Sequence, residues 1–141
     1  MLYFSNHEQL LDYLEEVFPQ IREQYDIESL GNDHLTMRMF IDEQHLRPGG
    51  TVSGPSMFAL VDCAVYAMVL ARVGREALTV TTNCSIDFMR KPAAGKDLIT
   101  DIRLLKLGKA LAVCDAMVYS EGSDEPVARA SMTYSIPPKR H

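Results

Sequence analysis

The feature that most constrains the fold is a long apolar segment that contains a single acid. Residues 57–71, MFALVDCAVYAMVLA, carry one charged side chain, that of Asp62. Pro55 suits the first turn of a helix and Gly74 suits its end, so we predict a helix from Pro55 to about Arg72. Large apolar side chains occur on every side of this helix, which is typical of a helix buried on most sides. Such a helix requires a sheet that curls around it.

Most of the remaining chain has the alternating pattern of strands. In residues 34–41, Leu35, Met37 and Met39 alternate with polar side chains. Similar patterns predict strands over 77–89, 98–107, 110–120 and 127–136. Gly108-Lys109 is a candidate hairpin turn, and consecutive hairpins favour an antiparallel sheet. The small residues that alternate along 110–120 indicate a face that accepts a closely packed helix.

The first 25 residues are predicted to be a helical extension of a single domain that spans 1–141. Apolar residues recur on one face of an amphipathic helix over 5–18, and Ser5 and Glu8 have the spacing of a capping box. Pro19 should kink this helix or restart it. The expected fold class is therefore α+β, with an antiparallel sheet wrapped around one long buried helix.

Composition limits the function. The 141 residues carry a net charge of −5, which argues against a nucleic-acid binder held mainly by phosphate contacts. The three cysteines have no zinc-ligand spacing, and their sparse, odd number fits buried thiols in a reducing compartment. The N-terminal residues lack the pattern of a signal peptide, and the apolar segment is shorter than a membrane span. We expect a soluble cytoplasmic protein that needs neither a metal nor a redox cofactor.

Three residues of the apolar helix and its start are candidates for chemistry. A buried carboxylate such as Asp62 is costly unless it is paired, so it is either a general base or nucleophile or a structural acid with hydrogen-bond partners. The Gly54 N–H, at a helix start, either stabilises an oxyanion or belongs to an ordinary turn. Ser53 either caps the helix or points its hydroxyl at a substrate.

Two motifs carry a resemblance to a known family. HLRPGGTVSGPSMFALVDCA at 45–64 and VTTNCSIDFMRKPAAG at 80–95, followed by strands to TYSI, resemble the hotdog fold and most closely the PaaI-type acyl-CoA thioesterases. The resemblance covers about residues 34–136. It implies hydrolysis of an acyl-CoA thioester, with Asp62 at the position of the family's acid. It also implies Gly54 as the oxyanion donor and Thr81 as the group beside the attacking water.

The loop departs from the family pattern at three positions. Arg47 stands where the family has Asn, Ser53 where it has His, and Pro55 where it has a second Gly. Pro55 has no N–H, so only one backbone donor remains at this pair. These departures leave a second interpretation open, in which the fold binds acyl-CoA without turning it over. A hotdog hydratase or dehydratase is a third, although it would need the missing loop His.

Further residues are expected to bind the substrate. Arginine suits the phosphates of CoA, so Arg47, Arg90, Lys91 and Lys109 are candidates for contacts with that part of the molecule. Pro55 is a further candidate for contact with the substrate, and Met57, Phe58 and Tyr66 are candidates for the acyl pocket. A single hotdog domain has an open sheet edge, which predicts self-association as a dimer or tetramer. The resemblance places the active site at that interface, with Asp62 of one chain facing Gly54 of the other.

Overall fold

The computed structural model describes residues 1–138 of the chain. Its helices are α1 (His7–Val17), α2 (Ile21–Gln24) and α3 (Gly54–Val73), with a short 3₁₀ helix at Glu43–His45. Its strands are β1 (Tyr25–Leu30), β2 (His34–Met39), β3 (Val80–Phe88), β4 (Leu98–Leu107), β5 (Leu111–Ser120) and β6 (Pro126–Ser135).

The six strands form one antiparallel sheet in the order β1-β2-β4-β5-β6-β3. The edges of the sheet are therefore β1 and β3. Helix α3 packs against β2, β3, β4, β5 and β6. The sheet wraps around one long helix, which confirms the predicted α+β hotdog fold.

The burial of α3 follows from its sequence and from the small side chains that face it. Leu60, Val65 and Leu70, which lie on different sides of the helix, are all 0% exposed. Burial of each such side chain contributes about 1.5–3 kcal/mol. The predicted small face of β5 is confirmed, because Ala112 and Cys114 are both 0% exposed.

Helix α3 also has the length and composition of a membrane span, with 20 residues and a mean hydropathy of 1.7. This corrects the expectation that its apolar segment is too short. Core helices of globular domains meet the same criterion, and α3 is packed against the sheet along its length.

The N-terminal segment differs from its prediction in one detail. Asn6, not Ser5, caps α1, and its side chain accepts a hydrogen bond from the Gln9 N–H at 2.9 Å. The Ser5 N–H donates to the Gln9 side chain at 3.0 Å, so Ser5 contributes its backbone and not its side chain to this helix start. As expected for Pro19, the helix ends at Val17 and restarts at Ile21. The extension then enters the sheet as β1.

Candidate active site

The loop before α3 is a small closed turn that presents the start of the helix. An isolated bridge joins Leu46 to Val52, and the turn between them contains Gly49 and Gly50 with φ of 98° and 83°. A residue with a side chain rarely adopts such angles, so both positions favour glycine. Ser53 caps α3 by accepting a hydrogen bond from the Ser56 N–H at 3.2 Å. The capping role considered for Ser53 is therefore confirmed.

Gly54 is the first residue of α3 and has a free backbone donor. In the described part of the chain, no group accepts a hydrogen bond from its N–H. A Cβ at this position would lie 3.3 Å from the ring of Phe88, the last residue of β3. Gly54 therefore brings backbone close to the end of that strand. Pro55 follows on the exposed side of the helix start.

A cleft of about 380 Å³ opens at this helix start. Its lining includes Arg47, Gly54, Met57, Phe88, Arg90 and Lys91. Three of the predicted CoA-binding cations thus surround the predicted oxyanion donor. Arg90 also pairs with Glu125 at 3.2 Å and donates to the Pro126 carbonyl at 2.8 Å. Within residues 1–138, neither Arg47 nor Lys91 takes part in an ion pair.

Asp62 lies in the middle of α3 with two hydroxyl groups on one carboxylate oxygen. The Thr81 hydroxyl donates to Asp62 Oδ1 at 2.6 Å, and so does the Tyr134 hydroxyl at 2.6 Å. Thr81 and Tyr134 are directly paired across β3 and β6, so the sheet register brings both hydroxyls to the same point. The half-buried acid is thereby hydrogen-bonded, which offsets the cost of its burial.

This acid lines a cavity of about 550 Å³, which we call the acid pocket. Its lining includes Phe18, Tyr25, Asp62, Tyr66, Thr81 and Tyr134. Tyr66 packs edge-on against Phe18 with ring centroids 5.7 Å apart, and its hydroxyl donates to the Ala77 carbonyl at 2.8 Å. The pocket therefore combines aromatic walls with one carboxylate.

Burial keeps the other ionisable groups of the acid pocket neutral. It raises the pKa of the Cys63 thiol to about 12, with a further contribution from the charge of Asp62. It also raises the pKa of Tyr25, which the charges of Cys63 and Asp62 raise further. Near neutral pH, Asp62 is thus the candidate base or nucleophile in this pocket, whereas Cys63 is a protonated thiol.

Asp62 and the predicted oxyanion donor are separated within one chain. Gly54 and Asp62 are eight residues apart on α3, which places their backbones about 12 Å apart. Lys109 lies farther away, in a cleft with Arg72 and Glu76 at the opposite end of α3. Of the predicted acyl-pocket residues, Tyr66 lines the acid pocket, Met57 lines the cleft at Gly54, and Phe58 is 37% exposed.

The sequence did not identify several residues of the acid pocket. Phe18 and Tyr25 were assigned to the N-terminal extension, and Tyr134 was placed only in the strand predicted over 127–136. The structure buries Tyr134 on one face of β6 together with Ala128 and Met132, and a buried tyrosine hydroxyl needs a hydrogen-bond partner. The alternation along this strand was the available signal. As for metals, residues 1–138 contain no group of three or more His, Cys, Asp or Glu side chains placed to hold an ion.

Comparison with known proteins gives the family. The model of the thioesterase superfamily matches residues 49–127, which include α3 and β3 to β5. Mouse acyl-coenzyme A thioesterase 13 is 26% identical over 116 residues, which cover 82% of each chain. The crystal structure of a protein named "putative thioesterase" from Silicibacter sp. TM1040 is 61% identical, with a TM-score of 0.91, and the match covers 98% of this chain and 95% of that one.

More distant structures have the same fold. Escherichia coli PaaI, from the phenylacetic acid degradation operon, has a TM-score of 0.77 at 20% identity, with 94% of this chain and 96% of that one covered. A Streptococcus mutans protein solved with acetyl CoA has a TM-score of 0.72 at 23% identity, covering 86% and 94%. The predicted resemblance is confirmed: the chain belongs to the thioesterase superfamily, and it is a hydrolase of thioester bonds with the hotdog fold.

Proposed function

We propose that the chain hydrolyses an acyl-CoA thioester, with Asp62 as the reacting acid. The observation that carries this proposal is the carboxylate of Asp62, which is held by two hydroxyls and lines an aromatic pocket. In the proposed step, Asp62 either takes the proton of an attacking water or attacks the carbonyl carbon itself. When water attacks, the C–S bond breaks and the proton held by Asp62 passes to the sulfur, so that CoA leaves as the thiol. When Asp62 attacks, CoA leaves as the thiolate and takes a proton from water, and a second water hydrolyses the mixed anhydride to release the acid and restore Asp62. Thr81 donates to Asp62 and retains lone pairs that can accept a hydrogen bond from the water.

The start of α3 supplies the other half of the proposed site. The Gly54 N–H is unpaired in the described chain and lies at the positive end of a 20-residue helix. An N–H of this kind stabilises the oxyanion that develops on the thioester carbonyl. Arg47 and Lys91, in the same cleft, would contact the phosphates of CoA. The acetyl CoA in the Streptococcus mutans structure supports a ligand of this class.

Both halves can meet if two copies pair through β3. This strand is an edge of the sheet, and it exposes apolar side chains: Val80 is 55% and Phe88 is 51% exposed. An unpaired apolar edge favours pairing with a second strand. In an antiparallel pair of β3 strands, the start of one lies beside the end of the other. Asp62 is bonded to Thr81 near the start, and Gly54 lies against Phe88 at the end.

This arrangement supports a dimer in which each site takes Asp62 from one subunit and Gly54 from its partner. The separation of about 12 Å within one chain is then no obstacle. The acyl group would extend from this junction into the acid pocket, between Phe18, Tyr25 and Tyr66. The volume of about 550 Å³ suits a medium aliphatic or an aryl group.

The test is a panel of acyl-CoA thioesters assayed with the wild type and with Asp62→Asn. We expect release of free CoA by the wild type and a loss of turnover of about 100-fold or more in the variant. Asp115→Asn, on the exposed face of β5, is the matched control and should retain activity. Saturable acyl-CoA binding without release of CoA, or full activity in Asp62→Asn, would contradict the proposal.

A further inference from the structure

The two oxygens of the Asp62 carboxylate are not equivalent. Oδ1 accepts hydrogen bonds from Thr81 and from Tyr134, each at 2.6 Å. Within residues 1–138, no side chain or backbone N–H donates to Oδ2. Because Asp62 lines the acid pocket, Oδ2 is the oxygen left to meet a substrate or a water there.

The Tyr134 hydroxyl has one proton and two acceptors within reach. It lies 2.9 Å from the backbone carbonyl oxygen of Asp62 and 2.6 Å from Oδ1. The shorter contact is to the charged group, and charge-assisted hydrogen bonds are both shorter and stronger. Tyr134 therefore donates to the carboxylate.

Tyr134 cannot exchange this role for that of a base near neutral pH. Its side chain is 3% exposed, and burial, together with the hydrogen bond to Asp62, raises the pKa of the phenol. The phenol thus keeps its proton. Its ring is fixed on β6 and lies 6.0 Å, centroid to centroid, from the ring of Tyr66, so the hydroxyl is held in place.

We propose that Tyr134 is a positioning residue of the hydrolytic site. Its hydrogen bond holds Oδ1 of Asp62 in place, so that Oδ2 is the oxygen that takes part in the reaction. The inference rests on the proposed function of Asp62. By donating to Oδ1, Tyr134 and Thr81 set the rotation of the carboxylate. Oδ2 then accepts the proton of the attacking water, or forms the bond to the carbonyl carbon as CoA leaves. Without Tyr134, the carboxylate would rotate more freely.

The experiment compares Tyr134→Phe with the wild type, Asp62→Asn and the control Tyr119→Phe. Tyr119 is a half-buried tyrosine on β5, outside the acid pocket. Loss of a hydrogen bond to a charged group predicts a fall in kcat of about 10- to 100-fold in Tyr134→Phe, with KM nearly unchanged. Tyr119→Phe should match the wild type in both quantities.

A second substitution covers the case in which Tyr134→Phe fails to fold. Incorporation of 4-fluorophenylalanine at position 134 nearly keeps the shape of the side chain and removes the hydrogen-bond donor. The fall in kcat should then match that expected for Tyr134→Phe. In either variant, the kcat of the wild type would overturn the role of Tyr134 while Asp62→Asn remains inactive. An active Asp62→Asn, or a wild type without turnover, would instead overturn the proposed function and this inference with it.

Discussion

The proposed dimer makes a strong prediction about dimers that combine two different inactive variants. Asp62→Asn removes the proposed reacting acid, and Gly54→Pro removes the proposed oxyanion donor, because proline has no N–H. The residue before this position suits a proline: Ser53 has φ of −73° and ψ of 153°, the conformation that a residue before proline favours. Gly54→Ala is the matched control, since it keeps the N–H and adds a Cβ 3.3 Å from the ring of Phe88.

Each variant alone should lose about 100-fold or more in kcat, the usual effect of removing an acid–base group or an oxyanion donor. In a mixed dimer, one site combines both substituted residues, and the other combines the intact Asp62 with the intact Gly54. The mixed dimer should therefore have about half the activity of the wild-type dimer, because one of its two sites is complete.

The assay uses coexpression of the two variants with different affinity tags and purification of the species that carries both. Release of CoA from one acyl-CoA is then measured for the mixed dimer and for each parent. A mixed dimer as inactive as its parents would refute the shared site and would place the whole chemistry within one chain. The same pairing made with Gly54→Ala in place of Gly54→Pro tests whether the N–H, and not the added bulk, is responsible.

Three further predictions concern stability and binding. The pKa values of the Cys63 and Cys114 thiols are raised to about 12 by burial, so the folded state holds protons that the unfolded state releases above pH of about 9. The free energy of unfolding, measured by denaturant titration, should thus be greatest below that pH. Between pH of about 9 and about 12 it should fall by about 1.4 kcal/mol per pH unit for each thiol. Cys114→Ala should make this fall with pH less steep. Lys91→Ala should raise KM for acyl-CoA about threefold at low salt. It should not change KM for the pantetheine thioester, which lacks the nucleotide. An equal rise in KM in Lys109→Ala would contradict the placement of CoA at the start of α3. Leu60→Ala should lower the free energy of unfolding by about 2–5 kcal/mol in the same titration, and a loss below 1 kcal/mol would show that the core around α3 collapses into the space.

Most elements of this fold were predictable because their signals are local. Strand β1 was not predicted, because only Ile27 of its six residues is fully buried and the strand has no clear alternation. An all-round apolar helix and alternating strands are visible within windows of ten to twenty residues, and β4 lies within the predicted bounds. The cap of α1 was assigned one residue too early because Ser5 and Asn6 are both good capping residues with a suitable partner three positions on. Local rules do not separate such neighbours.

The residues around Asp62 were less predictable because their contacts depend on the sheet register. Thr81 and Tyr134 are adjacent only because β3 pairs with β6, and a shift of one residue would turn Tyr134 to the opposite face. Helix α3 is apolar on every side, so its sequence could not indicate which of Met57, Phe58 and Tyr66 lines the acid pocket. The answer depends on which part of the helix the sheet leaves uncovered.

The residues of the acid pocket fall into two groups along the chain. Asp62 and Thr81 lie within residues 49–127, which match the superfamily, whereas Phe18, Tyr25 and Tyr134 lie on either side of that region. The matched region thus carries the proposed reacting acid, and the flanking segments carry part of the wall that an acyl group would meet. Changes in the flanking segments can therefore alter the wall of the pocket and leave the acid unchanged. An exchange of residues 1–30 between members of the superfamily would be a direct way to transfer acyl preference.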